Sequence, residues 1–536
     1  MKSVAVLLLL SLMTVALAAV APSDRHYHPV PSFLQQSNAA RGNLLAGMGA
    51  NKYTLPHEAN AEFWLNLARE ELAQRVNQKP MNLNKAKNII FFLGDGMSLS
   101  TVTAARIRKG QLKGNTGEED ALSFEKFPYS GLSKTYCANA QVPDSACTAT
   151  AYLCGVKTNI VTIGVNAKVN YNNCSESEDP TNHVSSIAAW AQKAGKSTGI
   201  ITTTTLSHAS PAGAYANTAN RFWECDADIL PWGDHNDPAQ CTDIAQQLIT
   251  QEPGRNFDLM MGGGMGKFLP KHLKDLHGNM GERLDGRNLL ATWQGMHPGG
   301  VVVHNRNSLL SLDVDKVSHI MGLFQSGYMD YHAVSNKQKQ PTLAEMTEVA
   351  IKFLSKNDNG YFVFIEGAQI DTANHANLAG ISLDETLEME KAVQKARDMT
   401  DPNETLIVVT ADHAHPLSIA GYPGRGTNIL GVNQHDTDIN GKKYTTLNYA
   451  AGTQQYLDEH GERLDIESTF GEDLLAQYPS YIHTDQGVHA GEDVGIFASG
   501  PHEHLFRGVM EQHAIPHMMA YAACIGEGPT MCDNKA

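Results

Sequence analysis

Five short apolar runs constrain this chain more than any other feature. They are Asn88-Ile-Ile-Phe-Phe-Leu93, Gly199-Ile-Ile-Thr202, Phe257-Asp-Leu-Met-Met261, Tyr361-Phe-Val-Phe-Ile365 and Thr405-Leu-Ile-Val-Val409. Each is rich in β-branched or aromatic residues and ends in glycine or polar residues, the pattern of strands buried on both faces. Helical stretches such as Val184 to Lys193 and Glu385 to Met399 lie between them. Strand and helix in alternation predict an α/β fold with a large, mostly parallel central sheet flanked by helices. Ligands of such sheets bind beyond the carboxyl ends of the strands. Asp95, His208, Ser210, Glu366, Asp371, His375, Asp412 and His413 all follow one of these runs.

With 536 residues and 42% hydrophobic content the chain can fill one large core with insertions. Residues 1–18, with Lys2, an apolar run from Val4 to Leu12 and small residues at Ala16 and Ala18, have the layout of a secretory signal peptide. Residues 19–79 form an N-terminal arm whose stretch from Ala59 to Val76 predicts an amphipathic helix, packed on a partner subunit or on its own core. Residues 80–420 read as the catalytic core. Between 421 and 485 the texture turns to glycine, asparagine, charge and tyrosine, an inserted crown-like surface subdomain that shapes access. Residues 486–536 complete the core with a last strand near His489 to Phe497 and a final helix through His517 to Ala523. The glycines of Gly262-Gly-Gly-Met-Gly-Lys267 lack Walker spacing and read as a turn.

A formal net charge of -16 without any basic block argues against nucleic acid as a partner. Phosphate remains possible where metal ions or a placed arginine supply local positive charge. No later segment is long and apolar enough to span a bilayer, and the polar C-terminus shows no lipid-anchor tail, so the expected product is secreted and extracellular. Secretion makes disulfides plausible for the eight cysteines, with Cys524 and Cys532 the closest pair at the C-terminus. It also makes Asn173 and Asn403 acceptors for glycans.

Ser145 opens the alanine-rich helical run that continues through Tyr152 and Leu153. A serine at a helix start has unpaired N–H groups behind it, which favours an anion on its oxygen. Taken alone, however, Asp144-Ser145 reads first as a helix cap. Asp371 and His375 share one face if their segment is helical, Asp412-His413 adds a second carboxylate–imidazole pair, and His489 a further imidazole. Such mixed ligands suit zinc, whereas Asp95, Ser210 and Glu366 offer oxygen alone and suit magnesium.

Phe92-Leu-Gly-Asp-Gly-Met97, Val142-Pro-Asp-Ser-Ala146, His208-Ala-Ser-Pro-Ala-Gly213, Glu366-Gly-Ala-Gln-Ile-Asp371, Thr410-Ala-Asp-His413 and His489-Ala-Gly-Glu-Asp493 occur in this order. Together they make the chain resemble the animal alkaline phosphatases from about Asn60 to Cys532. The resemblance implies a homodimeric, broad-specificity phosphomonoesterase with Ser145 as the nucleophile that becomes a phosphoserine. It implies two zinc ions, one on Asp371, His375 and His489 and the other on Asp95, Asp412 and His413. Magnesium would sit on Asp95, Ser210 and Glu366, with His208 nearby, and Arg221 would grip two phosphate oxygens. It also implies disulfides Cys174–Cys241 and Cys524–Cys532. Cys137 and Cys147 are extra relative to vertebrate members and are expected to pair with each other, while Cys154 and Cys225 receive no pairing.

The chain departs from the family at Gln325 and Gln340, which replace acidic residues of a peripheral calcium site and count against that site. Two other readings remain. A sulfatase or phosphodiesterase of the same superfamily is disfavoured because a sulfatase needs Pro and Arg after its nucleophile, and Ser145-Ala-Cys-Thr148 lacks them. An inactive relative kept as a binding protein would have lost a metal ligand, and none is lost.

Overall fold

The computed structural model describes residues 55–77, 80–232, 237, 239–467 and 470–533. The signal-peptide segment 1–18 lies outside the described residues. In chain order the strands of the first part are β1 Asn88–Gly94, β2 Tyr129–Lys134, β3 Ser197–Thr205, β4 Leu259–Gly263, β5 Val301–Val303, β6 Ile320–Leu323, β7 Tyr361–Gly367 and β8 Thr405–Ala411. They are followed by β9 Leu417–Ile419, β10 Val432–Thr437, β11 Lys443–Thr445, β12 Leu447–Gly452 and β13 Ser480–His483, then by β14 Val494–Ser499 and β15 Gly508–Glu511.

Ten strands form one sheet in the order β15-β2-β14-β8-β1-β7-β3-β4-β6-β5. Every pairing is parallel except the two made by β14. The five expected runs occupy β1, β3, β4, β7 and β8 at or near the middle of this sheet. Every residue of β7 and β8 is buried. Alternate residues of β1 feed two different cores: Ile89, Phe91 and Leu93 join one with Tyr152 and Leu153, and Ile90 and Phe92 join the other with Leu383 and Met389. The period-two alternation of a strand thus fills the layers on both faces. Segment 417–483 adds a three-stranded sheet, β13-β12-β9, and a two-stranded sheet, β10-β11.

Three expectations need correction. Gly262 and Gly263 belong to β4 rather than to a turn. A Cβ on Gly263 would come 2.1 Å from Gly327 O, so the site excludes side chains because a neighbouring backbone passes close by. Only Gly264, at φ +92°, makes the bend into the short helix Met265–Phe268. The helix Ala61–Val76 forms as expected, but none of its residues is buried. Trp64, Leu65, Leu67 and Leu72 are exposed, so it does not pack on its own core. Finally, the strand expected near His489 to Phe497 starts at Val494, which leaves His489 in the loop before it, and it is not the last, since β15 follows.

Disulfides join Cys137 with Cys147, Cys174 with Cys241, and Cys524 with Cys532, and Cys154 and Cys225 are buried thiols. Cys174 and Cys241, 67 residues apart, sit in a small satellite core with Val165, Val169 and Trp223. Replacing both by alanine releases the longest of these loops. It is expected to cost roughly 4 kcal/mol, read as a lower midpoint in denaturant unfolding.

Candidate active site

The register of the central strands levels their carboxyl ends. Gly94, the last residue of β1, pairs with Gly367 of β7 on one side and Ala411 of β8 on the other. Asp95, Glu366 and Asp412 therefore come together, and all three are fully buried. The helix Gln369–His375 after β7 places Asp371 and His375 one turn apart on one face. The loop before β14 brings in His489. Gly96, at φ +65°, is needed where β1 ends, since a Cβ there would lie 2.6 Å from His415 Cδ2 and 2.9 Å from Asp371 Oδ1.

The local structure takes the capping role away from Ser145. The cap of the helix Ser145–Cys154 is Asp144, whose carboxylate accepts the Cys147 N–H. Ser145 is the first helical residue, 1% exposed, and its hydroxyl does no capping. Its Oγ lies 3.2 Å from His413 Nε2 and 3.4 Å from Asp95 Oδ1.

Arg221 approaches from the side. One of its terminal nitrogens pairs with Asp144 Oδ2 at 3.0 Å and the other donates to His208 Nε2 at 3.1 Å. Asp144 also takes the N–H of Val161 at 2.9 Å, and the Val161 carbonyl takes the backbone N–H of Arg221 at 2.9 Å. Val161 holds φ 73°, a left-handed conformation that a β-branched residue rarely adopts. The strain is the cost of linking the serine helix to the arginine loop. Burial, and then the Arg221 charge, hold the His208 imidazole down at about 3, so it is neutral at working pH.

The donor set calls for cations. His375 Nδ1 lies 2.5 Å from Gly487 O and His489 Nδ1 lies 2.8 Å from Pro143 O. A carbonyl only accepts, so both Nδ1 atoms carry the proton. The two Nε2 atoms then hold lone pairs, yet they stand 3.0 Å apart, with Asp371 oxygens 3.3 Å and 3.5 Å away. Acceptors this close repel unless a cation lies among them or His375 takes a second proton. Burial opposes that protonation, but the adjacent Asp371 outweighs it and raises the His375 pKa.

A second set joins Asp95, Asp412 and His413, with His413 Nε2 3.4 Å from Asp95 Oδ1 and 3.2 Å from Asp412 Oδ2. A third joins Asp95, His208 and Glu366. There Ser210 Oγ is 3.5 Å from Asp95 Oδ2, Glu366 Oε2 accepts from Thr202 at 2.6 Å, and Glu366 Oε1 is buried without a partner. Burial first, then neighbouring carboxylates, push Glu366 up to about 8, and burial pushes Asp412 up to about 7. Imidazole with carboxylate in the first two sets suits zinc, and the oxygens of Asp95, Ser210 and Glu366 in the third suit magnesium, with His208 beside them.

All eleven residues singled out from the sequence thus lie in one connected cluster. Sequence reasoning missed His415, whose Nε2 is 2.5 Å from Asp371 Oδ1 and which joins Asp371, His375 and His489 in one ligand-competent group. The signal was available: His413 and His415 are two apart in an extended segment, where alternate residues share a side. It also missed the Asp144–Arg221 pair and Tyr328, whose ring packs edge-on to His208 at 5.6 Å. Gln325 and Gln340 both bond to Asp330 elsewhere in the fold.

A family model described as Alkaline phosphatase matches residues 86–525. The membrane-bound alkaline phosphatase of Bombyx mori is 43% identical over 528 residues, covering 97% of this chain and 93% of that protein. The tissue-nonspecific alkaline phosphatase isozyme of Gallus gallus is 42% identical over 505 residues, 92% of this chain and 95% of its own length. Among solved structures, a mutant of the TAB5 alkaline phosphatase with magnesium in its M3 site superposes with a TM-score of 0.58. It has 23% identity and covers 83% of this chain and 100% of that one, a likeness of fold alone.

Proposed function

Because the chain belongs to the alkaline phosphatase family of phosphoric monoester hydrolases, we propose that it cleaves phosphate monoesters by passing the phosphoryl group through Ser145. The observation that carries this reading is the Ser145 hydroxyl, released from capping by Asp144 and set between His413 and Asp95.

Asp371, His375 and His489 would hold one zinc ion, Asp95, Asp412 and His413 a second, and Asp95, Ser210 and Glu366 a magnesium ion. Bound there, these cations would lower the serine pKa and neutralise charge on the entering and leaving oxygens. The chain's own residues supply the rest. Ser145 Oγ stands beside Asp95 Oδ1 and His413 Nε2, the atoms that would hold the second zinc, so the serine hydroxyl is placed next to that cation; only in the metal-free chain are those two atoms free to accept its proton. Arg221, held by Asp144 and His208, offers the remaining N–H groups of its fork to two phosphoryl oxygens. Neutral His208 orients that fork without competing for the anion.

His415 would act by positioning Asp371. Replacing it by alanine is expected to weaken zinc retention 10- to 100-fold in a competition with a chelator, a magnitude on the order of that for other outer-layer partners.

Secretion as a homodimer belongs to the same proposal, supported by the leader pattern, the disulfides and the exposed apolar side chains of the helix Ala61–Val76. Among the described residues no helix is long and apolar enough to cross a membrane. Segment 421–485 is proposed to border the entrance.

The discriminating test compares a chromogenic phosphate monoester with a matched phosphodiester and a sulfate ester on the purified, metal-loaded protein at alkaline pH. Preference for the monoester by about 100-fold or more is expected, because Arg221 suits a doubly charged terminal phosphate. Equal or better turnover of the diester or sulfate would favour the sulfatase or phosphodiesterase reading. No turnover of any ester with metals bound would favour a binding protein.

A further inference from the structure

A second polar cavity, with a volume of about 240 Å³, lies at the opposite, amino-terminal edge of the sheet. Its wall is built by residues that lead into three neighbouring strands: Lys85 and Lys87 before β1, Lys196 before β3 and Asn359 before β7. The end of the last helix, tied down by the Cys524–Cys532 disulfide, closes it.

Lys196 is 7% exposed, and its Nζ donates to Lys87 O at 2.7 Å and Asn359 O at 2.8 Å. Carbonyl partners satisfy N–H groups but leave the charge uncompensated, and a buried ammonium ordinarily has a carboxylate beside it. Here no carboxylate of the described residues lies within 4.0 Å of the ammonium group of Lys85, Lys87 or Lys196. Asp358 shares the wall but stands outside that distance. Burial, followed by repulsion from Lys85 and Lys87, brings the Lys196 pKa down to about 8. The cost of the missing counter-charge falls on buried Lys196, while half-buried Lys87 and exposed Lys85 stand beside it on the same wall, and in a chain of net charge -16 this cluster is not the by-product of a basic surface.

We propose that this cavity binds a small oxyanion of the phosphate or sulfate class, held by Lys85, Lys87 and the third N–H of Lys196. The anion would supply the missing counter-charge and join the starts of β1, β3 and β7. Its source is either a free inorganic ion or a sulfate group carried on a saccharide, since both present the same tetrahedral oxygens.

The test is calorimetric titration of the intact, metal-loaded protein with inorganic phosphate, on wild type, Arg221→Ala and a Lys85→Ala/Lys87→Ala double variant. Lys196 is left in place because its Nζ also holds two carbonyls. Wild type is expected to show two phosphate sites per chain. Arg221→Ala should weaken one by about tenfold or more and spare the other. The lysine variant should do the reverse, with turnover at the wild-type level. A sulfated disaccharide that displaces phosphate from the lysine-dependent site identifies a saccharide-borne group, and one that does not identifies a free anion. A single phosphate site, unchanged in the lysine variant and weakened only by Arg221→Ala, overturns the proposal. This result is readable whether or not the protein turns over esters.

Discussion

Replacing Ser145 by alanine is expected to lower turnover of a phosphate monoester by on the order of 10⁴- to 10⁶-fold while leaving bound zinc and magnesium unchanged. The loss should be specific because the substitution removes one oxygen from a site otherwise built by other residues. The helix keeps its cap on Asp144, and alanine suits a helical position better than serine. The nitrogen and carboxylate atoms of Asp371, His375, His489, Asp95, Asp412 and His413 are untouched. Steady-state kinetics with metal analysis on the same samples checks it. A variant that loses metal along with activity would make Ser145 a structural ligand rather than the nucleophile.

The second large effect is expected at Asp95, the residue shared by two of the three ligand sets. Asp95→Asn removes a charge from both at once. It should lower turnover by on the order of 10³-fold or more, with weakened binding of the zinc held by His413 and of magnesium. The same cluster predicts how the metal-free chain responds to pH. Burial, followed by the charges of Asp412, Asp371 and Glu366, raises Asp95 well above the carboxylate range, and Glu366 and Asp412 reach about 8 and about 7.

These folded-state values lie above the unfolded ones, so the folded chain keeps protons that the unfolded chain has released. Their contribution to stability is fully present in acid and is lost as pH rises through about 7 to 8. The chelated protein should therefore melt at a lower temperature at pH 9 than at pH 6. Reloading metal at pH 9 should restore it, because bound cations favour the ionised carboxylates. In Asp95→Asn the metal-free difference between the two pH values should shrink. Thermal melts of both proteins, with and without metal, check this, and a metal-free wild type that is more stable at pH 9 would contradict it.

The central strands were legible in the sequence because β1, β7 and β8 are buried on both faces and show unbroken apolar runs. Parallel pairing then levels their ends, so the first polar residues after each run had to meet. The strands at and next to the edges left no such trace. Tyr129–Lys134 is half-exposed and carries serine and glycine, and Val301–Val303 has only three residues. Their pairing is dictated by neighbours rather than by local pattern.

His415 was missed because its partner is the Asp371 side chain, and this contact depends on tertiary approach. For the helix Ala61–Val76 the sequence left two surfaces open, a partner subunit or its own core, and the absence of any buried residue removes only the second. Gly262 and Gly263 looked like a turn because close backbone approach and turn geometry both select glycine.

The central claim is that Ser145 carries the phosphoryl group, and trapping it is the most direct test. The metal-loaded protein would be mixed with a phosphate monoester at mildly acidic pH, where hydrolysis of the intermediate is expected to slow, quenched in strong acid, digested and mapped by mass spectrometry. The account predicts a phosphorylated peptide with the group on Ser145, absent from Ser145→Ala and from a sample stripped of metal. An active enzyme whose phosphoryl group is found on another residue, or on none while turnover continues under the same conditions, would contradict it.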